Sequence, residues 1–203
     1  MMQHEPTAFV VDDDAAVRDS LRLLLRSIGL SAETYSSATE FLQAYDAARP
    51  GCLVLDVRMP GMSGLELQEK LEEQHSTLPI IFLTAHGDIP MAVKAVKAGA
   101  VDFIQKPFRD QELIDKIQHA MKEDARTRRK FAGYQEILAC IESLTPREHQ
   151  VMEMVVAGKA NKVIAIDLGL SQRTVEIHRA RVMKKMGADS VSQLVQMVMR
   201  VRE

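Results

Sequence analysis

The sequence predicts an α/β protein of two domains: a doubly wound parallel sheet of the (βα)5 kind over residues 1–124 and a small all-α domain over 143–203, joined by a helical linker at 125–142. Three observations predict it. Through the first part, short apolar runs alternate with amphipathic stretches, the pattern of repeated βα units whose sheet is covered on both faces. From Ser143 the apolar spacing becomes entirely helical and the elements become short. Charge divides the chain in the same place: residues 1–125 carry 12 Lys and Arg against 20 Asp and Glu, 126–142 carry 4 against 2, and 143–203 carry 10 against 6. Local charge sets the field that partners meet, so an acidic front suits metal or phosphate chemistry and a basic back suits a polyanion.

The strands are expected at 9–11, 32–35, 53–55, 80–83 and 101–104. Between the first two, Val17, Leu21, Leu24, Leu25 and Ile28 fall at 3.6 spacing before Gly29, a C-terminal stop. Further helices begin near Ala38, Gly64, Asp88 and Asp110, with Asp88 as a cap and Pro90 in the tolerated first turn. The fifth helix carries Leu113, Ile117, Ala120 and Met121, then a polar stretch at 126–130. Phe131, Tyr134, Leu138 and Ile141 continue as a narrow apolar stripe, weakened by about 1 kcal/mol at Gly133; it serves either as a solvated connector or as a seam for a second copy.

In the second domain, Thr145-Pro146-Arg147-Glu148 combines a capping box with proline at the first helical position. That helix reaches about Ala157. A second runs from Asn161 to Leu168, and Gly169 turns tightly into a third, from Ser171 to Gly187. A fourth, with Val191, Leu194, Val195 and Val198 on one face, closes the domain.

Composition excludes several classes. With 46% hydrophobic residues the chain is no low-complexity coil, and no apolar run approaches the roughly 18–20 residues that span a bilayer. The start lacks a signal segment, so a cytoplasmic protein without membrane partners is expected. Cys52 and Cys140 are too few and too unpatterned for a disulfide framework or a zinc site.

Asp12-Asp13-Asp14 follows the first strand, Asp56 the third, Thr84 the fourth and Lys106-Pro107 the fifth. Those strand ends are where a doubly wound sheet opens its ligand crevice. Clustered carboxylates repel and recruit a cation, and a hard oxygen site of this size suits Mg²⁺. A carboxylate beside Mg²⁺ and Lys is equipped as a nucleophile toward phosphorus. Taken singly, the Asp triplet also fits a helix cap, Lys106-Pro107 a turn and Phe103 a core residue, while Arg58 and His86 fit either solvent or the flanks of the site.

Together, residues 9–14, 55–64, 83–85 and 103–108 resemble, in order and spacing, the receiver domain of two-component signalling, a flavodoxin-like fold. The resemblance implies that Asp56 accepts phosphate from a sensor histidine kinase, and that Asp12, Asp13, Asp56 and the backbone carbonyl of Arg58 hold Mg²⁺. It implies that Lys106 contacts the phosphoryl group ahead of a cis peptide at Pro107, while Thr84 and Phe103 switch. It also implies a phosphoacceptor with at most slow self-dephosphorylation, not an enzyme.

The third helix of the second domain carries Arg173, Arg179, Arg181, Lys184 and Lys185 against one acid, Glu176, with Val175, Val182 and Met186 left to pack. A helix, tight turn and helix of this kind can enter the major groove. Residues 144–148, 161–165 and 171–178 resemble the LuxR-type module of the NarL/FixJ family, in its FixJ-like branch. That likeness implies base contacts from Glu176, Ile177 and Ala180, and phosphate contacts from Arg173, Thr174, His178, Arg179 and Lys184. Glu176 departs from the lysine several relatives carry. The expected regulator activates transcription with RNA polymerase, and phosphorylation drives homodimerisation and binding to double-stranded DNA. Two rivals are an aspartyl-phosphate phosphatase, which needs an acid where Arg58 stands, and a DNA-binding protein whose receiver only dimerises.

Overall fold

The structure, a computed structural model, describes residues 5–84 and 102–202. It divides into two compact units, Met1–Arg128 and Arg129–Glu203. The helix expected near Asp88, its cap, His86 and the strand's first residue, Val101, lie outside the described residues.

In the first unit β1 (Thr7–Val11), α1 (Ala15–Ser27), β2 (Ser31–Tyr35), α2 (Ala38–Ala44), β3 (Gly51–Asp56), α3 (Gly64–Glu73), β4 (Ile80–Thr84) and β5 (Asp102–Gln105) follow in order, before the long α4 (Asp110–Glu142). The strands form one parallel sheet in the order β2-β1-β3-β4-β5. Period-2 alternation sends Phe9, Val11, Leu53, Leu55 and Phe82 to one face, where Phe41, Leu67 and Leu71 cover them. It sends Ala8, Val10, Cys52, Val54, Ile81 and Leu83 to the other, under Leu21, Leu25, Leu113 and Ile117. β1, β3 and β4 are buried along their whole length and read as apolar runs, whereas the edge strands β2 and β5 are only partly buried. Each large side chain so buried stabilises the fold by about 1.5–3 kcal/mol.

Register aligns the strand ends that matter. Val11 pairs with Leu55, Asp56 with Leu83, and Thr84 with Gln105. The residue after β1, the last of β3, the last of β4 and the residue after β5 therefore share one edge. At that edge a Cβ on Gly64 would stand 2.3 Å from the Asp56 carbonyl oxygen, so only glycine lets α3 start so close to β3.

The second unit contains the later residues of α4 and four helices: α5 (Pro146–Val156), α6 (Asn161–Leu168), α7 (Gln172–Met186) and α8 (Val191–Arg200). Its core is Val151, Met152, Val155, Ile164, Val175, Val182, Met186, Leu194 and Val198. The capping box forms: Thr145 Oγ1 accepts from Glu148 N–H, and Glu148 Oε2 accepts from Thr145 N–H. Gly169, at φ 65°, ends α6 and lets Leu170 N–H reach back to the Ala165 carbonyl. Of the stripe expected on the linker, Tyr134, Leu138 and Ile141 are half-buried and Phe131 is 64% exposed, while Ile137, which that stripe omits, is buried in the core of this unit.

Candidate functional site

At the C-terminal edge of the sheet, Asp12 and Asp56 are both buried, at 2% and 8% exposure. Lys106 reaches across from beyond β5 and donates from Nζ to Asp12 Oδ2 at 2.7 Å and to Asp56 Oδ1 at 2.9 Å. The remaining oxygens are held by backbone: Asp14 N–H donates to Asp12 Oδ1 at 2.9 Å, and Arg58 N–H to Asp56 Oδ2 at 2.8 Å. Thr84 is buried, and its carbonyl accepts from Lys106 N–H at 2.7 Å, which sets the base of the lysine beside the carboxylates. The Lys106-Pro107 peptide is cis. Phe103 is half-buried, its ring 6.5 Å from that of Phe82.

The electrostatics follow from this crowding. Burial pushes the Asp12 carboxyl above its ordinary range; hydrogen bonds from Lys106 and Asp14 oppose the shift, and the Asp56 carboxylate adds to it. For Lys106 burial disfavours the charge, but the hydrogen bonds to Asp12 and Asp56 outweigh it and hold the ammonium above its usual value. Asp13 is exposed, and among the described residues no three His, Cys, Asp or Glu side chains gather to hold a metal by themselves. Mg²⁺ does not need such a cage, since it takes one or two carboxylates and keeps its waters. Two repelling hard-oxygen donors on one edge fit that ion.

Two residues here make contacts with the site that the sequence does not assign to them. Arg18, on α1, donates from Nη1 to the Asp12 carbonyl at 2.7 Å and braces the acidic loop. Gly64 brings α3 against Asp56. A contact six residues along the chain leaves no periodic trace, whereas the motif around Asp56 already contained the glycine.

Residues 8–118 match the family described as response regulator receiver domain, and residues 142–198 match bacterial regulatory proteins of the luxR family. The chain belongs to the response regulators. This response regulator is 47% identical over 203 residues to the response regulator protein TmoT of Ectopseudomonas mendocina, covering 100% of this chain and 92% of that one. It is 47% identical over 192 residues to the transcriptional regulatory protein FixJ of Bradyrhizobium diazoefficiens, covering 95% and 94%. A low-resolution structure of the response regulator StyR superposes with a TM-score of 0.91 at 46% identity, over 97% of this chain and 99% of that one. Full-length FixJ from B. japonicum gives 0.60 at 46% identity, over 98% of each. A receiver followed by a LuxR-type module makes the response regulator a phosphorylation-dependent transcriptional regulator of a two-component system. The receiver implies a sensor kinase partner and the luxR-family module implies DNA. Receivers of this kind generally bind Mg²⁺, and among the described residues no helix is long and apolar enough to cross a membrane.

On α7 of the response regulator the buried residues Val175, Val182 and Met186 define the inner face. Arg173, Glu176, Ile177, Ala180 and Lys184 are exposed; Ile177 is 46% exposed although aliphatic. Thr174, His178 and Arg179 are half-buried. Thr174 is tied to the Ser171 cap, and His178 Nδ1 is buried with no hydrogen-bond partner among the described residues. Arg179 donates from Nη1 to Asn161 Oδ1 at 2.7 Å, so α6 holds that side chain in place. Lys185, in the last turn, is occupied internally: Nζ donates to Glu148 Oε2 at 2.7 Å and to the Ser143 carbonyl at 2.9 Å.

Proposed function

We propose that Asp56 is the phosphoacceptor and that its phosphorylation by a sensor histidine kinase switches the LuxR-type unit to a DNA-binding homodimer that activates transcription. The observation that carries this is the Lys106 ammonium between the Asp12 and Asp56 carboxylates. An Asp56 oxygen attacks phosphorus, the phosphorus bond to the kinase histidine breaks, and that imidazole takes up a proton. Lys106 is placed to follow the transferring group and offset its charge. Asp12, Asp13, Asp56 and the Arg58 carbonyl would hold Mg²⁺, which when bound neutralises phosphoryl oxygens.

The acyl phosphate carries roughly −1.5 to −2 charges in place of the carboxylate's single one, which draws the Thr84 hydroxyl and Lys106 inward, with Phe103 following. Two receivers then pair, and two α7 helices span half-sites about one DNA turn apart. In that complex Glu176, Ile177 and Ala180 face base edges, and Arg173, Thr174, His178, Arg179 and Lys184 set the helix on phosphates. RNA polymerase is the partner at the promoter, and the protein works in the cytoplasm. An exposed Arg58 stands two residues after Asp56, where aspartyl-phosphate phosphatases place an acid, and this supports a phosphoacceptor over a phosphatase.

Acetyl phosphate with Mg²⁺ should label the wild type, and not Asp56→Asn, and should raise both its dimer fraction and its affinity for DNA. Equal DNA binding by labelled protein and Asp56→Asn would overturn the coupling.

A further inference from the structure

α4 grips the receiver in two ways along its length. Leu113, Ile117 and Ala120 are buried against the sheet at spacings of 4 and 3. Positions 124 and 128 continue that stripe, and there the sequence turns from apolar to charged, with Asp124 and Arg128. Asp124 is 1% exposed. Its Oδ2 accepts the Gly51 N–H at 2.9 Å, and its two oxygens accept Arg128 Nε at 3.0 and 2.8 Å. The same guanidinium donates from Nη1 to the Ala47 carbonyl and from Nη2 to the Arg49 carbonyl, each at 2.8 Å. Only the planar fork of arginine serves a carboxylate and two carbonyls at once; a lysine offers one point of attachment.

The place of this clamp gives it meaning. Arg128 is the last residue of the first unit and Arg129 the first of the second. Gly51, held by Asp124, opens β3, and Asp56 ends it. β3 is the central strand, hydrogen-bonded on both sides, a stiff connection of about 20 Å. The loop before β3 is itself fixed, because Arg49 pairs with Glu33 and its guanidinium lies 4.9 Å from the centre of the Phe9 ring.

We propose that the Asp124–Arg128 clamp is the positioning element that passes the state of the receiver into α4 where that helix leaves the first unit. The inference rests on Asp56 being the phosphoacceptor. Arg128 acts through Asp124 and the 47–51 loop; its bonds touch neither Asp56 nor the α7 surface. Its loss leaves phosphorylation intact and uncouples it from DNA binding.

The test uses full-length wild type, Arg128→Gln and Arg128→Lys, with acetyl phosphate and Mg²⁺ as donor and a DNA fragment selected from a random pool by the labelled wild type. Both variants should label at residue 56 within about twofold of wild type, while the affinity ratio of labelled to unlabelled protein falls about tenfold or more, within the usual range of allosteric couplings. A merely structural brace would lower the melting temperature and both affinities together, leaving the ratio at its wild-type value, and that result overturns the proposal. Amide exchange at Gly51 in the wild type reads the clamp without any substitution: labelling should change its protection about tenfold, and no change would overturn the proposal even where a variant fails to fold. Absence of label at residue 56 in the wild type would overturn the reading of Asp56 first, and this one with it.

Discussion

Replacing Gly64 with alanine tests how closely α3 must approach the phosphoacceptor strand. The new Cβ would stand 2.3 Å from the Asp56 carbonyl oxygen and 3.1 Å from Leu55 Cγ. Ordinary contact begins at 3.4 Å, so the start of α3 and the end of β3 must part by about 1 Å. Neither neighbour yields cheaply, since one is strand backbone paired to β4 and the other is a fully buried side chain. Overpacking of this kind costs about 1–3 kcal/mol. A shift of about 1 Å at a reacting group slows its chemistry about 10²-fold. Gly64→Ala should therefore lose about 2 kcal/mol in urea unfolding and take label from acetyl phosphate about 100-fold more slowly. Gly29→Ala is the matched control: at φ +77° with nothing within 4 Å, its added methyl meets backbone strain and no clash. It should cost about 1–2 kcal/mol and label at the wild-type rate. Equal stability losses and wild-type labelling in both variants would refute the packing argument.

The DNA-binding unit should lose stability in acid through Glu148. The hydrogen bond from Lys185, then that from the Thr145 N–H, holds its carboxyl at about 2, below the usual 4.5. A carboxyl lowered on folding stabilises above its unfolded value and loses that contribution as pH falls from about 4.5 toward 2. Thermal melts of wild type should fall more steeply through that window than those of Glu148→Gln, and parallel curves would remove Glu148 from the account. The two adjacent lysines of α7 should separate in a salt titration. Lys184→Met should flatten the slope of log affinity against log salt by about 0.9, the loss of one phosphate contact. Lys185→Met should leave the slope unchanged and lower the melting temperature, because its ammonium is engaged by Glu148 and Ser143.

Much of the receiver was legible because its chemistry sits at strand ends, and strands buried on both faces announce themselves as apolar runs. Asp12, Asp56, Thr84 and Lys106 could be placed on one edge from those runs alone, and the register brings them there. The second unit was legible at its caps: Thr145-Pro146-Arg147-Glu148 and Gly169 are local signals of local geometry. What escaped is what depends on distant partners. Asp124 and Arg128 stand four apart on one helix, yet the carbonyls that complete their clamp come from residues 47 and 49. Nothing in the local pattern signals that Asn161, 18 residues earlier, holds Arg179 in place. Ile137 lies on the same face as Tyr134 and Ile141, and 3 and 4 spacings do not say which of two adjacent apolar residues is the buried one.

Reductive trapping of the acyl phosphate measures the central claim most directly. Protein treated with acetyl phosphate and Mg²⁺, then with borohydride, carries a permanent mark on whichever carboxylate bore the phosphoryl group, and peptide sequencing by mass spectrometry locates it. The mark is expected at residue 56 alone, and to vanish in Lys106→Met or fall steeply. A mark at Asp12 or Asp13, or an unmarked Asp56 in protein that still gains DNA affinity, would contradict the account.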